Sequence, residues 1–156
     1  MMSLQLTDDD IERIYADGRA TYPEECCGVM IGTLRNGDQA EVVEIVSARN
    51  EREDENRHNR FLISPQALME AQRSARARQF EVVGYYHSHP DHPARPSDFD
   101  RDHAWPGQSY LIISVQSGEV ADCRSWRLKD DRTAFDEETV LDAAGRRVGV
   151  STAASE

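Results

Sequence analysis

Hydrophobic positions along this chain recur with two different periods, and the switches between them mark out the elements. Ile11, Ile14 and Tyr15, with Ala20 more weakly, fall on one side of a helix. Thr7 stands ahead of them with Asp10 three residues on, an arrangement resembling a capping box, so a first helix is predicted over 7–21, stopped by Pro23. The run Gly28-Val29-Met30-Ile31-Gly32 reads as a buried strand entered straight after the acidic pair Glu24-Glu25, and 41–48 alternates around Val42 and Val43 as the next strand. A charge-rich loop over 50–60 has no apolar anchor, and 61–63 forms a short strand. Ser64-Pro65 gives a cap and first-turn proline for a helix to about 79, with Leu68, Met69 and Ala75 inward and Arg73, Arg76 and Arg78 in water. The stretch 82–89 is rich in strand formers, whereas 90–96 holds three prolines and is read as loop. Ser97 caps a short helix, and 109–115 and 120–128 are two late strands joined at Ser117-Gly118. No repeat or second core is visible. The expectation is one α/β domain over 1–142, followed by a small, polar tail over 143–156 that frays.

The 156 residues suffice to bury a real core, with 38% hydrophobic and 30% charged positions. A net charge of −11, from 18 Lys and Arg against 29 Asp and Glu, argues against a broad phosphate-binding surface, and no nucleic-acid partner is expected. No apolar run approaches the roughly 20 residues of a membrane span. The first ten residues lack a basic region followed by an apolar stretch, so a cytoplasmic protein without a membrane partner is expected. Cys26, Cys27 and Cys123 form neither a disulfide framework nor a Cys-x-x-Cys pair.

Chemistry concentrates in His87-Ser88-His89-Pro90 and the residues that follow it, as far as Ser97-Asp98-Phe99-Asp100. Residues two apart on a strand share a face, so His87 and His89 converge while Tyr86 and Ser88 point the other way. The proline loop folds back, and Asp100 supplies an oxygen. Two imidazoles and one carboxylate suit zinc and leave one tetrahedral position open to water, which zinc turns into a nucleophile near neutral pH. A hydrolytic site also needs a group that moves the proton of that water. Glu24 and Glu25, at the mouth of the strand beginning at Gly28, are equivalent candidates on the residues alone. Cys27 is expected to pack as a small hydrophobe, Tyr85 and Tyr86 to be sheet aromatics, and His92 and His103 to line the groove or face solvent.

Pro23-Glu24-Glu25-Cys26-Cys27-Gly28, His87-Ser88-His89-Pro90 and Pro96-Ser97-Asp98-Phe99-Asp100, in that order, resemble the JAMM (MPN+) zinc metalloprotease family over roughly 7–128. That family has a Glu three residues before a small residue, then His-x-His-Pro, seven residues to a Ser, and an Asp three beyond it. The resemblance implies a curved, mostly antiparallel or mixed β-sheet flanked by helices, related to the cytidine-deaminase arrangement. It implies that His87, His89 and Asp100 hold Zn2+, that Glu25 rather than Glu24 is the general base and acid, and that Ser97 stabilises the oxyanion as well as capping its helix. It also implies a substrate class, the C-terminal tail of ubiquitin or a ubiquitin-like protein. Short members of the bacterial Mec and QbsD kind process sulfur-carrier proteins, and this chain shows none of the long insertions of larger deubiquitinases. Two other readings compete. A RadC-like DNA-repair domain shares the His-x-His-Pro…Ser-x-x-Asp pattern but sits poorly with a charge of −11. A non-catalytic MPN scaffold sits poorly with a complete ligand set.

Overall fold

Helix α1 (Asp8–Thr21) begins where Thr7 Oγ1 accepts a hydrogen bond from the Asp10 amide at 3.0 Å. The Asp10 carboxylate turns toward Arg13, 3.9 Å away, so only the Thr7 half of the expected box forms. The structure, a computed structural model, describes residues 2–48, 50 and 63–149. After α1 come β2 (Cys27–Arg35), β3 (Gln39–Ala48), α2 (Pro65–Ala77), β4 (Glu81–Pro90), α3 (Asp98–His103), β5 (Ser109–Gln116), β6 (Glu119–Leu128) and β7 (Phe135–Leu141), with β1 (Ser3–Gln5) ahead of them all.

The strands form one mixed sheet in the order β1-β3-β2-β4-β5-β6-β7, curved until it closes on itself. Pairs β2/β3, β2/β4, β5/β6 and β6/β7 are antiparallel, and β4/β5 is parallel. Strand β1 closes the ring by lying parallel to both β3 and β7. The fold class is the expected α/β one, with a mixed, curved sheet and few helices. Strands β1 and β7 are additions to the elements predicted from the sequence. The first is only three residues long, and the second contains Asp136-Glu137-Glu138, a composition that strands disfavour.

Two cores flank the sheet. On the side of α1, Ile14 packs with Leu4, Leu6, Tyr86, Leu111, Ile113 and Val115. Asp17 of α1 accepts hydrogen bonds from the Tyr86 hydroxyl (2.9 Å) and from Ser47 Oγ (3.0 Å). On the opposite side Ala71 and Ala75 of α2 pack on Val29 and Ile31. Met69, expected inward, is 55% exposed, because the buried stripe at 71 and 75 continues to the half-buried Leu68 and leaves 69 a full 100° step away. Ser64 caps α2 as expected, accepting from the Ala67 amide at 3.1 Å. Of the strand expected over 61–63 only Ile63 is described, and it lies outside any strand. Of the loop over 50–60 only Asn50 falls within the described residues. The tail expected to fray is tied back over its first part: the Val148 amide donates to Val140 O (2.8 Å), and Arg147 bridges to Leu141. Residues 150–156 lie outside the described residues. No described helix is long and apolar enough to cross a membrane.

One register positions the site. Cys27 of β2 lies opposite His87 of β4, so the segment leading into β2 runs beside the C-terminal end of β4. The parallel neighbour β5 supports that end from the other side, pairing His87 with Ile112 and His89 with Ser114.

Candidate active site

Strand β4 presents its side chains alternately, and the alternation sorts them by chemistry. Tyr86 and Ser88, both fully buried, face the α1 core, while His87 and His89 face the other side of the sheet. His89 is oriented by Pro93, whose carbonyl oxygen lies 2.8 Å from Nδ1. A carbonyl only accepts, so the ring carries a hydrogen on Nδ1, and Nε2 is the nitrogen directed at the other two side chains. That Nε2 lies 3.2 Å from His87 Nε2 and 3.2 Å from Asp100 Oδ2, and His87 Nε2 lies 3.4 Å from Asp100 Oδ1. Asp100 is brought there by the first turn of α3. Ser97 Oγ accepts from the Asp100 amide (3.0 Å), and the Ser97 amide donates to Asp100 Oδ2 (2.9 Å), a complete capping box.

Burial pushes His87 below the ordinary imidazole value. Burial works to raise Asp100, but the imidazoles of His87 and His89 outweigh it and hold the carboxyl well below the usual carboxylate range. Neutral imidazole beside ionised carboxylate is the protonation state a metal ion requires. Acceptor atoms packed this closely repel one another unless positive charge lies among them. A tetrahedral zinc with bonds of about 2.0–2.1 Å spaces its ligands roughly 3.3 Å apart, the spacing seen here. His87, His89 and Asp100 therefore fit a metal ion, and they form the one group of three or more such side chains with convergent ligand atoms among the described residues.

The trio stands between two clefts. Glu25, His89, His92, Arg95 and Ser97 help line a polar cleft of about 360 Å³. His87 and Asp100 join Leu68, Tyr85, Trp105 and Tyr110 around an apolar cleft of about 170 Å³, and Phe99 borders both. Of the two neighbouring glutamates, Glu25 is 3% exposed and lines the polar cleft, whereas Glu24 is half-buried and is not among its walls. His92 lines the polar cleft, and His103 lines the apolar one with its ring stacked 4.0 Å from that of Phe99. Neither belongs to the convergent trio. Cys27 is fully buried. Tyr85 stacks on Tyr110 at 5.6 Å in the wall of the apolar cleft.

Three supports of this arrangement escape a reading of the sequence. Ser88 Oγ accepts from the Cys26 amide at 2.8 Å, and the Ser88 amide donates to Cys26 O at 3.2 Å, clamping the segment that carries Glu25 to β4. The Tyr22 hydroxyl donates to Asp91 Oδ2 (2.6 Å), and Trp126 Nε1 donates to Ala94 O (3.0 Å), which pins the loop after His89 at both ends. The one signal for Ser88 is a hydroxyl on a core-facing strand position, which needs a partner.

The profile of a family described as prokaryotic homologs of the JAB domain matches residues 7–129. A desampylase from Haloferax volcanii is 34% identical over 95 residues, 59% of this chain and 63% of the relative, so the chain spans less than two thirds of that protein's length. The solution structure of a protein from Desulfitobacterium hafniense is similar with TM-score 0.76 and 32% identity, covering 89% of this chain and 92% of that one. A solution structure from Salinibacter ruber is similar with TM-score 0.69 and 34% identity, covering 92% of this chain and 94% of that one. A JAB1/MPN domain protein from Archaeoglobus fulgidus shares the fold at TM-score 0.53 and 15% identity, covering 89% of this chain and 98% of that one. The family profile spans most of the chain, and two solved structures above 30% identity are covered almost end to end: the chain belongs to the prokaryotic homologs of the JAB domain, within the JAMM/MPN family.

Proposed function

We propose that the chain is a zinc-dependent (iso)peptidase that hydrolyses the bond following the C-terminal Gly-Gly tail of a ubiquitin-like or sulfur-carrier protein in the cytoplasm. The observation that carries this reading is a convergent His87–His89–Asp100 trio whose His89 lines the same polar cleft as a buried Glu25. Family membership supports hydrolysis, and likeness to a desampylase, an isopeptidase that removes a ubiquitin-like modifier, supports the substrate class.

His87, His89 and Asp100 would hold the zinc, which when bound would supply Lewis acidity toward water and a peptide carbonyl. Glu25 accepts the proton of the attacking water and passes it to the leaving nitrogen. Its reach is set by the Ser88 clamp on Cys26 and by Asn50, whose side-chain amide donates to Glu25 O at 3.3 Å. Ser97 uses a lone pair of Oγ to cap α3 and keeps its hydroxyl hydrogen for the oxygen that gains charge, a contribution of about 3 kcal/mol for a well-aimed donor. His89 is held in one tautomer and orientation by Pro93.

The test is a single assay. Zinc-loaded protein is incubated with ubiquitin-like sulfur carriers bearing C-terminal extensions, and the products are weighed by mass spectrometry. Zinc-dependent loss of the residues after Gly-Gly is expected. Intact carriers in the presence of stoichiometric zinc would overturn the substrate, and protein that takes up no zinc would return the chain to the scaffold reading. A DNA-binding role would show as salt-sensitive retention of DNA, which the charge of −11 opposes.

A further inference from the structure

We infer that Arg95 selects the leaving group by pairing with a free α-carboxylate, so that the preferred substrate is a carrier ending in a short C-terminal extension rather than one joined to a lysine side chain of a second protein. The inference rests on the peptidase reading above and deepens it.

Proton delivery fixes the direction of the substrate. The nitrogen that leaves must come within reach of Glu25, so the residue it belongs to occupies the polar cleft shared by Glu25 and His89. Arg95 is a wall of that same cleft. Its backbone is held on both sides. Before it, Ala94 is buried with its carbonyl bonded to Trp126 Nε1 (3.0 Å), and the Pro93 carbonyl is bonded to His89 (2.8 Å). After it come Pro96 and Ser97, the cap of α3. A long cationic side chain thus rises from a fixed root between a metal-ligand imidazole and the short helix that carries Asp100.

Charge compensation separates Arg95 from the other arginines nearby. Arg101 faces Asp98 (3.8 Å) and Asp102 (3.7 Å), and Arg124 is paired with Asp122 (2.7 Å) and Glu137 (2.9 Å). Among the described residues no carboxylate lies within ion-pairing distance of Arg95. The cleft's two carboxylates are Glu25 and Asp98, and Asp98 is the one facing Arg101. In a chain of net charge −11 an anionic leaving group is otherwise repelled, and a guanidinium can take a carboxylate through two parallel hydrogen bonds. A lysine leaving through its side-chain nitrogen brings only methylenes to this place and gives Arg95 nothing to bind. Arg95 also borders an adjoining cleft of about 430 Å³ that continues to Arg101 and Arg124, which gives room for an extension of more than one residue.

The experiment compares two carriers that differ at one atom, each with a single residue after Gly-Gly, ending in a free acid or in a carboxamide. The zinc-loaded wild type, Arg95→Gln and Arg95→Lys are assayed for kcat/KM on both, with zinc content measured for each. The wild type should favour the acid by about tenfold or more, chiefly through KM. The ratio should fall toward one in Arg95→Gln and be partly restored in Arg95→Lys. Because each protein is its own control, the ratio is unaffected by the fraction folded. A wild-type ratio near one, or an unchanged ratio in Arg95→Gln, overturns the inference while sparing the peptidase. Cleavage of neither carrier by the wild type overturns the peptidase reading itself, and the inference falls with it.

Discussion

Glu24 and Glu25 are chemically identical neighbours that burial separates, and the separation depends on a contact more than sixty residues away. Cys26 is bonded to Ser88, and the preceding Glu25 lines the cleft that His89 also lines. Replacing Glu25 by Gln keeps the shape and removes the proposed base. The variant should bind zinc at the wild-type level and lose about 10²–10⁴-fold in turnover, as read by metal analysis and by cleavage of a carrier substrate. Undiminished cleavage would remove Glu25 from the reaction. His87 gives the pH counterpart. Because burial lowers its pKa, its imidazole is still neutral below about pH 6.5, where an ordinary histidine has taken a proton. His87 itself should therefore not release zinc as the pH falls through that value, but only further down, when it protonates. The unfolded chain takes the proton first, so the stability of the metal-free protein falls as the pH drops below about 6.5. Dialysis against a pH series followed by metal analysis measures the first, and urea titration of the metal-free protein the second. At this scale the convergence of His87, His89 and Asp100 was legible in the sequence, because strand alternation and a helix cap are local. Which of two adjacent glutamates lines the cleft was not, because it follows from the β2/β4 register.

The elements divide the same way. Helices α1 and α2 were readable from their caps, Thr7 and Ser64, whose hydroxyls bond amides three residues on. β7 was hidden because Glu138, an unlikely inward residue by composition, points in and is met there by Ser125 (2.6 Å) and Arg127 (2.8 Å) of β6. A strand pattern read without its neighbour cannot show that pairing. Ser88 is where an element acts on the chemistry. Its Oγ and amide hold the entrance of β2 against β4, so Ser88→Ala leaves the Cys26 amide buried without its acceptor, at a cost of about 1–3 kcal/mol. The midpoint of urea unfolding should drop accordingly. Zinc content should be retained, because the side chain points away from the metal ligands, while kcat falls more than KM changes, since Glu25 loses its fixed position. A Ser88→Ala protein with wild-type kcat would show that the clamp serves stability alone.

Across the whole molecule, closure of the sheet links these pieces. Arg127 and Glu138 are both buried, and Arg127 reaches past its partner to the carbonyl of Gly37 in the turn between β2 and β3 (3.2 Å). The ion pair therefore ties β6 and β7 to the far side of the seam. Glu138→Ala would strand a buried guanidinium, and a loss of about 3–5 kcal/mol in urea unfolding is expected. Replacing both partners together by apolar residues should cost much less, which distinguishes the isolated charge from lost packing. The last link in the ring is slight. β1 contributes three residues to each of its two neighbours, and among the described residues it alone bridges β3 and β7 on that side of the ring. Removing residues 1–6 would open the ring and leave β3 and β7 with unmatched amides and carbonyls facing solvent, the templates on which strands of separate molecules join. Such a shortened chain should self-associate with rising concentration in sedimentation, while the intact chain should not. A three-residue strand would then be what keeps one copy of the protein from adding to the next.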